Sequence, residues 1–368
     1  MSRRVGLVAE TVDRRDGIAR VAREMLSVLG RRHDVEVVVA VPPAGLAVVE
    51  AMGLPNLVAT VTIPTSGQLG TASWVRWRAA RAFAAYGVDV VHAGKHVVPT
   101  TDLPTVLTVH DLTLLHDPGQ FRAAKRFVLP HEYRRSLRHA DVLVTHTQAI
   151  AATLGHADPA WGAKVALIGL PFNGELYAEP AVPVDGLTEV GFALAVGDLS
   201  PRKNLALLID RWADVHRASG LHLVVAGSGA WRSEPVVARL EVLVRDGMAS
   251  WVRGLGDPAL RWLYEQARVL LYPSREEGFG LPVVEALAVG TPVITSTDPA
   301  LVEVGAGRTT ALDPDDADAW HEAILRAALA DPAHHDPVVP EWLPTREEVG
   351  ARLIEAYDRA ITMRHRPR

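Results

Sequence analysis

The chain has 368 residues, which is long for one hydrophobic core and predicts two domains of ordinary size. Its 38 basic and 43 acidic residues leave a net charge of -5, and this balance argues against nucleic acid as the main partner. The absence of cysteine excludes disulfides and thiolate metal sites, and no histidine spacing typical of zinc sites replaces them.

The N-terminal residues lead directly into a short apolar strand, so we expect no signal peptide. No apolar run approaches the roughly 18 residues that a membrane-spanning helix needs. We therefore expect a cytoplasmic protein, either free or peripheral at the inner face of the membrane.

Short apolar runs rich in valine and leucine alternate with amphipathic stretches along the first half of the chain. This pattern is typical of buried parallel strands that are crossed by helices. We predict strands at 5–9, 35–41, 88–92, 105–110 and 141–145, and helices at 19–29, 74–86 and 123–139.

Residues 173–191 are rich in proline, glycine and acidic residues and lack periodicity, which indicates a linker with the domain boundary near Tyr177. Beyond it the alternation returns, and the sequence predicts an α/β fold of two doubly wound sheets. In this half we predict strands at 192–196, 221–226, 251–253, 269–272 and 292–295, and a final amphipathic helix at 346–363.

Helix-start signals support the second half of this prediction. Asp257-Pro258 and Asp298-Pro299 are typical of an N-cap followed by proline, and Thr345 with Glu348 has the spacing of a capping box. The acidic run 313–316 also has the pattern of a helix cap.

Two carboxylates eight residues apart, Glu277 and Glu285, flank a glycine turn that opens a helix. Glycine lets the backbone approach a ligand, and free N–H groups at the helix start suit an anion such as a diphosphate. On its own this spacing is more often found in surface glutamates than in a binding site. As a site, it makes donor-binding candidates of both glutamates and of the turn between them, Gly278, Phe279, Gly280 and Leu281.

A second cluster, residues 197–204, lies where a predicted strand ends. Arg202 and Lys203 could neutralise a diphosphate, although two adjacent cations are also common on ordinary surfaces. Gly227 and Ser228 follow the next predicted strand, at the carboxyl edge where α/β proteins tend to bind ligands, or they form a simple tight turn.

The stretch 272–294 resembles the signature of the retaining GT-B glycosyltransferases of family 4, which have two Rossmann-like doubly wound domains facing a central cleft. The resemblance implies an acceptor-binding domain at 1–176, a nucleotide-sugar domain at 177–345, and a helix at 346–368 that packs back on the first domain. It implies that Glu277 contacts the donor sugar, that Glu285 binds the ribose, and that the segment around Val252 contacts the nucleobase.

Other segments resemble the same family. His110 lies in a T-x-H-D segment and is implied to lie beside the transferred sugar, whereas Arg202 and Lys203 in P-R-K-N are implied to stabilise the departing phosphate. Gly17 belongs to the first glycine turn, where many relatives have a second glycine in place of Asp16. Asp198 is another departure, since many relatives carry arginine there.

The resemblance implies that a hexose moves from a nucleotide sugar to an acceptor hydroxyl with retained configuration, and the P-R-K-N form is most similar to enzymes that use GDP-mannose. No Asp-x-Asp motif resembles that of the metal-dependent GT-A enzymes, so we expect neither metal nor cofactor. A UDP-sugar epimerase remains an alternative, and the Asp16 and Asp198 departures also allow a catalytically idle binding subunit. The basic segment 121–138 is either a solvated helix face or a weak contact with a membrane surface.

Overall fold

The computed structural model describes residues 2–14, 16–64, 67–120, 123–172, 179–187, 191–230, 232–330 and 341–365. The chain forms two units: unit 1 comprises Met1–Pro171 with Leu343–Arg368, and unit 2 comprises Phe172–Trp342. The predicted boundary at Tyr177 and parts of the predicted linker, 173–178 and 188–190, lie outside the described residues.

Unit 1 contains a seven-stranded sheet in the order β3-β2-β1-β4-β5-β6-β7, and every pairing in it is parallel. Its strands are β1 Arg3–Val8, β2 Val35–Val41, β3 Leu57–Thr62, β4 Val90–Ala93, β5 Thr105–Thr108, β6 Val142–Thr145 and β7 Val165–Leu167. The valine-rich central strands are buried on both faces, as the apolar runs predict.

The helices of unit 1 are α1 Gly17–Gly30, α2 Gly45–Ala51, α3 Gln68–Trp77, α4 Ala79–Ala84, α5 Thr113–His116, α6 Ala123–His139, α7 Gln148–Ala157, α8 Pro159–Gly162 and the terminal α16 Arg346–His365. The single helix expected at 74–86 is wrong, because the helix breaks at Arg78, whose φ of -120° and ψ of -30° lie outside the helical range.

The terminal helix α16 belongs to unit 1. Its Tyr357 hydroxyl lies 2.8 Å from Nδ1 of the buried His92, and Arg346 donates to Glu24 on α1 at 2.6 Å. The capping box predicted at its start is present, since Thr345 N donates to Glu348 Oε2 at 2.7 Å and Glu348 N donates to Thr345 Oγ1 at 3.2 Å.

Unit 2 contains a six-stranded parallel sheet in the order β10-β9-β8-β11-β12-β13. Its strands are β8 Phe192–Val196, β9 His222–Ala226, β10 Ala249–Val252, β11 Val269–Tyr272, β12 Val293–Ser296 and β13 Thr310–Leu312. Its helices are α9 Ala206–Ile209, α10 Trp212–Ser219, α11 Glu234–Arg245, α12 Asp257–Gln266, α13 Leu281–Ala288, α14 Pro299–Gly305 and α15 Ala317–Leu329. The strand order reverses between β8 and β11, which is where an open α/β sheet tends to bind a ligand.

Two of the predicted caps in unit 2 are confirmed and one is wrong. Asp298 accepts from Ala300 N and Leu301 N at the start of α14, and Asp316 accepts from Ala319 N at the start of α15. At α12 the cap is Gly256, so Asp257 is already the first helical residue and makes no cap.

Candidate functional site

The carboxyl ends of three strands of unit 2 are joined by backbone hydrogen bonds. Gly197 N donates to Ala226 O at 3.0 Å, and Gly227 N donates to Val252 O at the same distance. A Cβ on Gly227 would lie 1.8 Å from Gly197 O, so only glycine allows these two turns to cross. The predicted donor residues Gly227, Ser228 and Val252 therefore lie together at this edge, where Ser228 O also accepts from Leu199 N at 3.1 Å.

Lys203 is a buried cation at the end of a 3-10 turn that follows β8. Its Nζ donates to Glu277 Oε1 at 2.6 Å and to the Tyr272 hydroxyl at 2.5 Å. An ammonium has three donors, so two are used by the described residues and the third remains for a ligand. The centre of the Tyr272 ring lies 4.6 Å from the ammonium.

Glu277 accepts from Lys203 and also lies 3.4 Å from Arg202 Nη1. Burial by itself raises the pKa of Glu277, but the charges of Lys203 and Arg202 outweigh it and lower the pKa to about 2. Burial lowers the pKa of Lys203, while Glu277 acts in the opposite direction. The low pKa of Glu277 indicates that its carboxylate is ionised at neutral pH, with the two cations Lys203 and Arg202 beside it.

The turn Gly278–Leu281 follows Glu277 and leads into α13. Gly280 caps this helix with a φ of 92°, and a Cβ there would lie 2.5 Å from Leu301 Cδ2. A residue with a side chain is therefore disfavoured both by backbone conformation and by space. The cap offers no side-chain hydrogen bond to α13. In the first turn Pro282 has no N–H and Val283 N donates to Gly280 O at 3.0 Å, so Leu281 N–H and the positive end of the helix dipole are what this helix start offers to an anionic ligand. Phe279 is buried at 8% exposure and anchors the turn.

Glu285 lies one turn into α13 and is buried, with 6% of its surface exposed. Its Oε2 accepts from the Tyr264 hydroxyl of α12 at 2.7 Å. This bond orients the carboxylate of Glu285 within α13.

Asp198, which departs from the family pattern, has a local structural role. Its Oδ1 accepts from Ser200 N at 3.2 Å and from Ser200 Oγ at 2.5 Å, and this turn precedes Arg202 and Lys203. Asp16, the other departure, caps α1 by accepting from Ala19 N at 2.9 Å, and it places Gly17 as the first helical residue. Asp16 and Asp198 thus each stabilise the local backbone at a position where this chain departs from the family pattern.

Unit 1 carries a separate group of histidines at the ends of its central strands, in which His92 and His146 are buried and His110 is half-buried. The ring of His110 is stacked on that of His146 with centroids 5.7 Å apart, and His110 Nε2 lies 2.8 Å from Gly94 O. Because a carbonyl only accepts, Nε2 carries the proton and Nδ1 is left as an acceptor. Burial lowers the pKa of His110 to about 4, and it does the same for His146. Both rings are therefore neutral at physiological pH.

Most predicted donor-site residues converge in unit 2, whereas Gly17 and His110 lie in unit 1. Sequence reasoning gave no role to Tyr272 and Tyr264, although each holds one of the site's charged groups. It also missed the second function of Asp298, whose Oδ2 accepts from Glu277 N at 3.4 Å while Oδ1 caps α14. The available signal was the position of Tyr272 at the end of the predicted strand 269–272, which leads to Glu277 and the glycine turn.

Comparison with known proteins agrees with this geometry in both units. The family model described as Glycosyltransferase Family 4 matches residues 15–173, and that described as Glycosyl transferases group 1 matches residues 192–329. The chain belongs to glycosyltransferase family 4.

Two relatives of this glycosyltransferase are O-antigen chain mannosyltransferases. Mannosyltransferase B of Escherichia coli is 35% identical over 146 residues, which is 38% of either chain. RfbU of Salmonella typhimurium strain LT2 is 26% identical over 280 residues, which is 74% of either chain. The 35% identity to mannosyltransferase B thus applies to well under half of the length of that relative.

Solved structures show the same fold across nearly the whole chain. WaaG, a glycosyltransferase involved in lipopolysaccharide biosynthesis, has a TM-score of 0.65 at 16% identity and covers 96% of this chain and 95% of its own. HepE of Anabaena, in complex with UDP-glucose, has a TM-score of 0.63 at 15% identity and covers 98% and 97%. The predicted GT-B fold with two Rossmann-like domains is therefore confirmed.

Proposed function

We propose that this glycosyltransferase moves mannose from GDP-mannose to an acceptor hydroxyl, with retained anomeric configuration and without a metal ion. The observation that carries the proposal is the buried ammonium of Lys203, which Glu277 and Tyr272 hold with one donor remaining. A nucleoside diphosphate gains negative charge as it departs, and a preorganised cation stabilises that charge without having to reorganise.

In this mechanism the diphosphate binds against Arg202, Lys203 and the first turn of α13. The low pKa of Glu277 keeps its carboxylate ionised, so it can accept hydrogen bonds from hydroxyls of the transferred sugar. Glu285 would accept hydrogen bonds from the ribose hydroxyls, and the sugar contact of His110 stays a prediction. The acceptor attacks from the face that the diphosphate vacates, so no protein nucleophile is needed.

The choice of mannose is supported by two relatives that are named mannosyltransferases. UDP-glucose is the rival donor, since it is the ligand named for the HepE structure. The binding of GDP and of UDP can be compared directly, which tests the choice between the two donors.

The test is thermal unfolding in the presence of GDP, UDP, ADP or dTDP without metal, followed by NMR of donor turnover. A nucleotide at 100 times its Kd adds about 2.7 kcal/mol to stability. We expect stabilisation by GDP and slow hydrolysis of GDP-mannose that first releases the α-anomer. Release of the β-anomer would overturn retention. A new nucleotide sugar formed without acceptor would identify an epimerase, and binding without turnover of any donor, with or without acceptors, would identify an idle subunit.

We also propose that unit 1 contacts an anionic membrane surface. No helix among the described residues is long and apolar enough to cross a bilayer. The exposed stripe of α6 carries Phe127, His131, Arg134 and Arg138 at helical spacing, and Phe127 is 70% exposed. Residues 121 and 122 of the predicted basic segment lie outside the described residues.

A neighbouring aromatic residue extends this surface. Glu132 of α6 pairs with Arg76 of α3, whose guanidinium lies 4.4 Å from the centre of the Trp77 ring, and Trp77 is 59% exposed. Between Asp117 and Asp141 the sequence has six lysine and arginine residues but only one acid, in a chain with a net charge of -5. Exposed aromatics beside clustered arginines suit the interface of an anionic bilayer.

A further inference from the structure

The carboxyl end of β10 carries a stacked pair of side chains, Trp251 and Arg253. The Arg253 guanidinium lies 4.5 Å from the centre of the Trp251 ring, and Arg253 is the first residue after β10. Trp251 is itself fixed, because its Nε1 donates to Gly227 O at 2.8 Å. The pair is thus anchored to the glycine turn that crosses Gly197.

The hydrogen-bonding groups of Arg253 face outward. Arg253 is exposed, and within the described parts of the chain its guanidinium makes no hydrogen bond or ion pair. Stacking engages the flat face of a guanidinium and leaves the N–H groups along its edge unused. The N–H groups of such a guanidinium suit a planar ligand that has two adjacent hydrogen-bond acceptors.

The position of Arg253 continues the nucleotide site along the sheet edge. Gly227 N donates to Val252 O, so Arg253, the next residue, follows directly after the point where the turns at Gly197 and Gly227 cross. On its other side α12 starts at Asp257 and carries Tyr264, which holds the ribose candidate Glu285. In the order β10-β9-β8 the end of β10 lies two strand spacings, roughly 10 Å, from the end of β8, which leads to Lys203, so a nucleotide whose diphosphate lies at Lys203 would reach the end of β10 with its base.

We propose that Arg253 selects guanine by donating two hydrogen bonds to O6 and N7 of the base. This inference rests on the proposed function and deepens it by assigning the residue that reads the donor nucleotide. Guanine offers O6 and N7 as adjacent acceptors, which is the geometry that an arginine fork matches. Adenine places an amino donor beside N7, and uracil has no second acceptor beside O4, so neither satisfies both donors.

The experiment measures the affinities of GDP, IDP, 7-deaza-GDP, UDP and ADP for the wild type, Arg253→Met and Arg253→Lys. IDP keeps O6 and N7, so the wild type should bind it like GDP, whereas 7-deaza-GDP lacks N7 and should bind roughly ten- to a hundredfold more weakly. In Arg253→Met GDP should fall to the affinity of 7-deaza-GDP, so the ratio of the two should approach one. Arg253→Lys keeps a cation that can also donate to O6 and N7, so it should retain part of the ratio. Arg245→Met removes another exposed arginine of unit 2 and should leave the ratio unchanged.

The outcomes separate the two proposals. If the wild type prefers GDP and Arg253→Met keeps the wild-type ratio of GDP to 7-deaza-GDP, the role of Arg253 is overturned while the donor assignment stands. If the wild type prefers UDP or ADP, or binds none of the nucleotides, the donor assignment itself is overturned and the guanine inference with it. Because Arg253 is exposed, unchanged thermal unfolding of the free variants shows that a lost ratio is not a loss of fold.

Discussion

The ammonium of Lys203 lies 2.6 Å from Glu277 Oε1, and both residues are only 8% exposed. A buried ion pair is costly to break, because removing one partner leaves the other charge without compensation. Substitutions at this pair should therefore affect the stability of unit 2 and the chemistry together, and the two effects must be measured separately.

Replacing Lys203 with methionine should reduce turnover by several orders of magnitude. The loss of leaving-group stabilisation is worth roughly 3 to 4 kcal/mol in comparable electrostatic sites. The folded fraction is measured by thermal unfolding and turnover is measured below the midpoint. Arg211→Ala serves as a control, since Arg211 pairs with Asp318 at an exposed position of the same unit. Turnover of folded Lys203→Met within tenfold of wild type would contradict the phosphate assignment.

Replacing Glu285 with alanine should weaken binding of the nucleotide by roughly 1.5 to 3 kcal/mol, the range for hydrogen bonds to a charged group. Tyr264→Phe keeps the carboxylate but removes its 2.7 Å bond to the tyrosine hydroxyl, so we expect a smaller loss of affinity. Calorimetric titration with GDP compares the two variants. Equal affinity in Glu285→Ala and wild type would remove Glu285 from the ribose site.

Chelation of divalent cations should leave turnover unchanged. In the proposed mechanism Lys203 and Arg202 supply the positive charge that a metal supplies in other nucleotide enzymes. The measurement is the rate of GDP release from GDP-mannose in excess EDTA and again after addition of magnesium or manganese. A rate that falls in EDTA and returns with either metal would show that the two side chains are insufficient.

Acidification should destabilise the protein through the histidines of unit 1. Burial, the largest cause, lowers the pKa of His92 to about 3 and of His110 and His146 to about 4. In the unfolded chain these histidines take up protons near pH 6.5, whereas in the folded chain they stay neutral to a lower pH. The free energy of unfolding therefore decreases as the pH falls below 6.5. For His146 the loss between pH 7 and pH 5 is on the order of 2 kcal/mol.

The variant His146→Phe tests this origin, because it keeps an aromatic ring against His110 but cannot take up a proton. Its thermal midpoint should fall less steeply between pH 7 and pH 5 than that of the wild type. His156→Gln, at an exposed position of α7, should retain the wild-type slope. Identical slopes for all three proteins would show that His146 is protonated in the folded state.

The parts of the fold that the sequence predicted are those with strong local patterns. Buried strands such as β2, β8 and β11 have the predicted bounds, because an apolar run is visible in the residues themselves. The helix α6 also has its predicted bounds. The strands β3, β7 and β13 were missed. Their residues are half-buried or exposed at or near the sheet edges, so no continuous apolar run marks them.

The site was predictable where a motif carries its own chemistry and not where distant residues meet. Glycines and charges at the end of β11 mark the turn and Glu277, but the bond from Tyr264 to Glu285 joins residues of two helices. Likewise, Arg253 contacts Trp251 locally, while the anchoring of Trp251 by Gly227 O depends on the pairing of β10 with β9. Sequence spacing alone does not give such contacts.

The basic surface of unit 1 should bind vesicles that contain anionic lipid. Each arginine near such a surface contributes about 1 kcal/mol, so Arg134→Gln with Arg138→Gln should weaken binding by roughly thirtyfold. Replacing the exposed Trp77 and Phe127 with alanine removes the apolar contact and should also release the protein. The measurement is cosedimentation with phosphatidylcholine vesicles with and without phosphatidylglycerol, at low and high salt.

A matched control separates this surface from general charge. Arg239 and Arg245 lie on α11 of unit 2, at exposed positions, and their double glutamine variant makes the same change of charge elsewhere. Binding by the wild type should require phosphatidylglycerol and weaken with salt, because the attraction between exposed charges is screened over about 10 Å at 0.1 M. If both double variants lose binding equally, the attraction reflects total charge rather than the α6 stripe. Without vesicle binding by the wild type, that stripe is a solvated helix face.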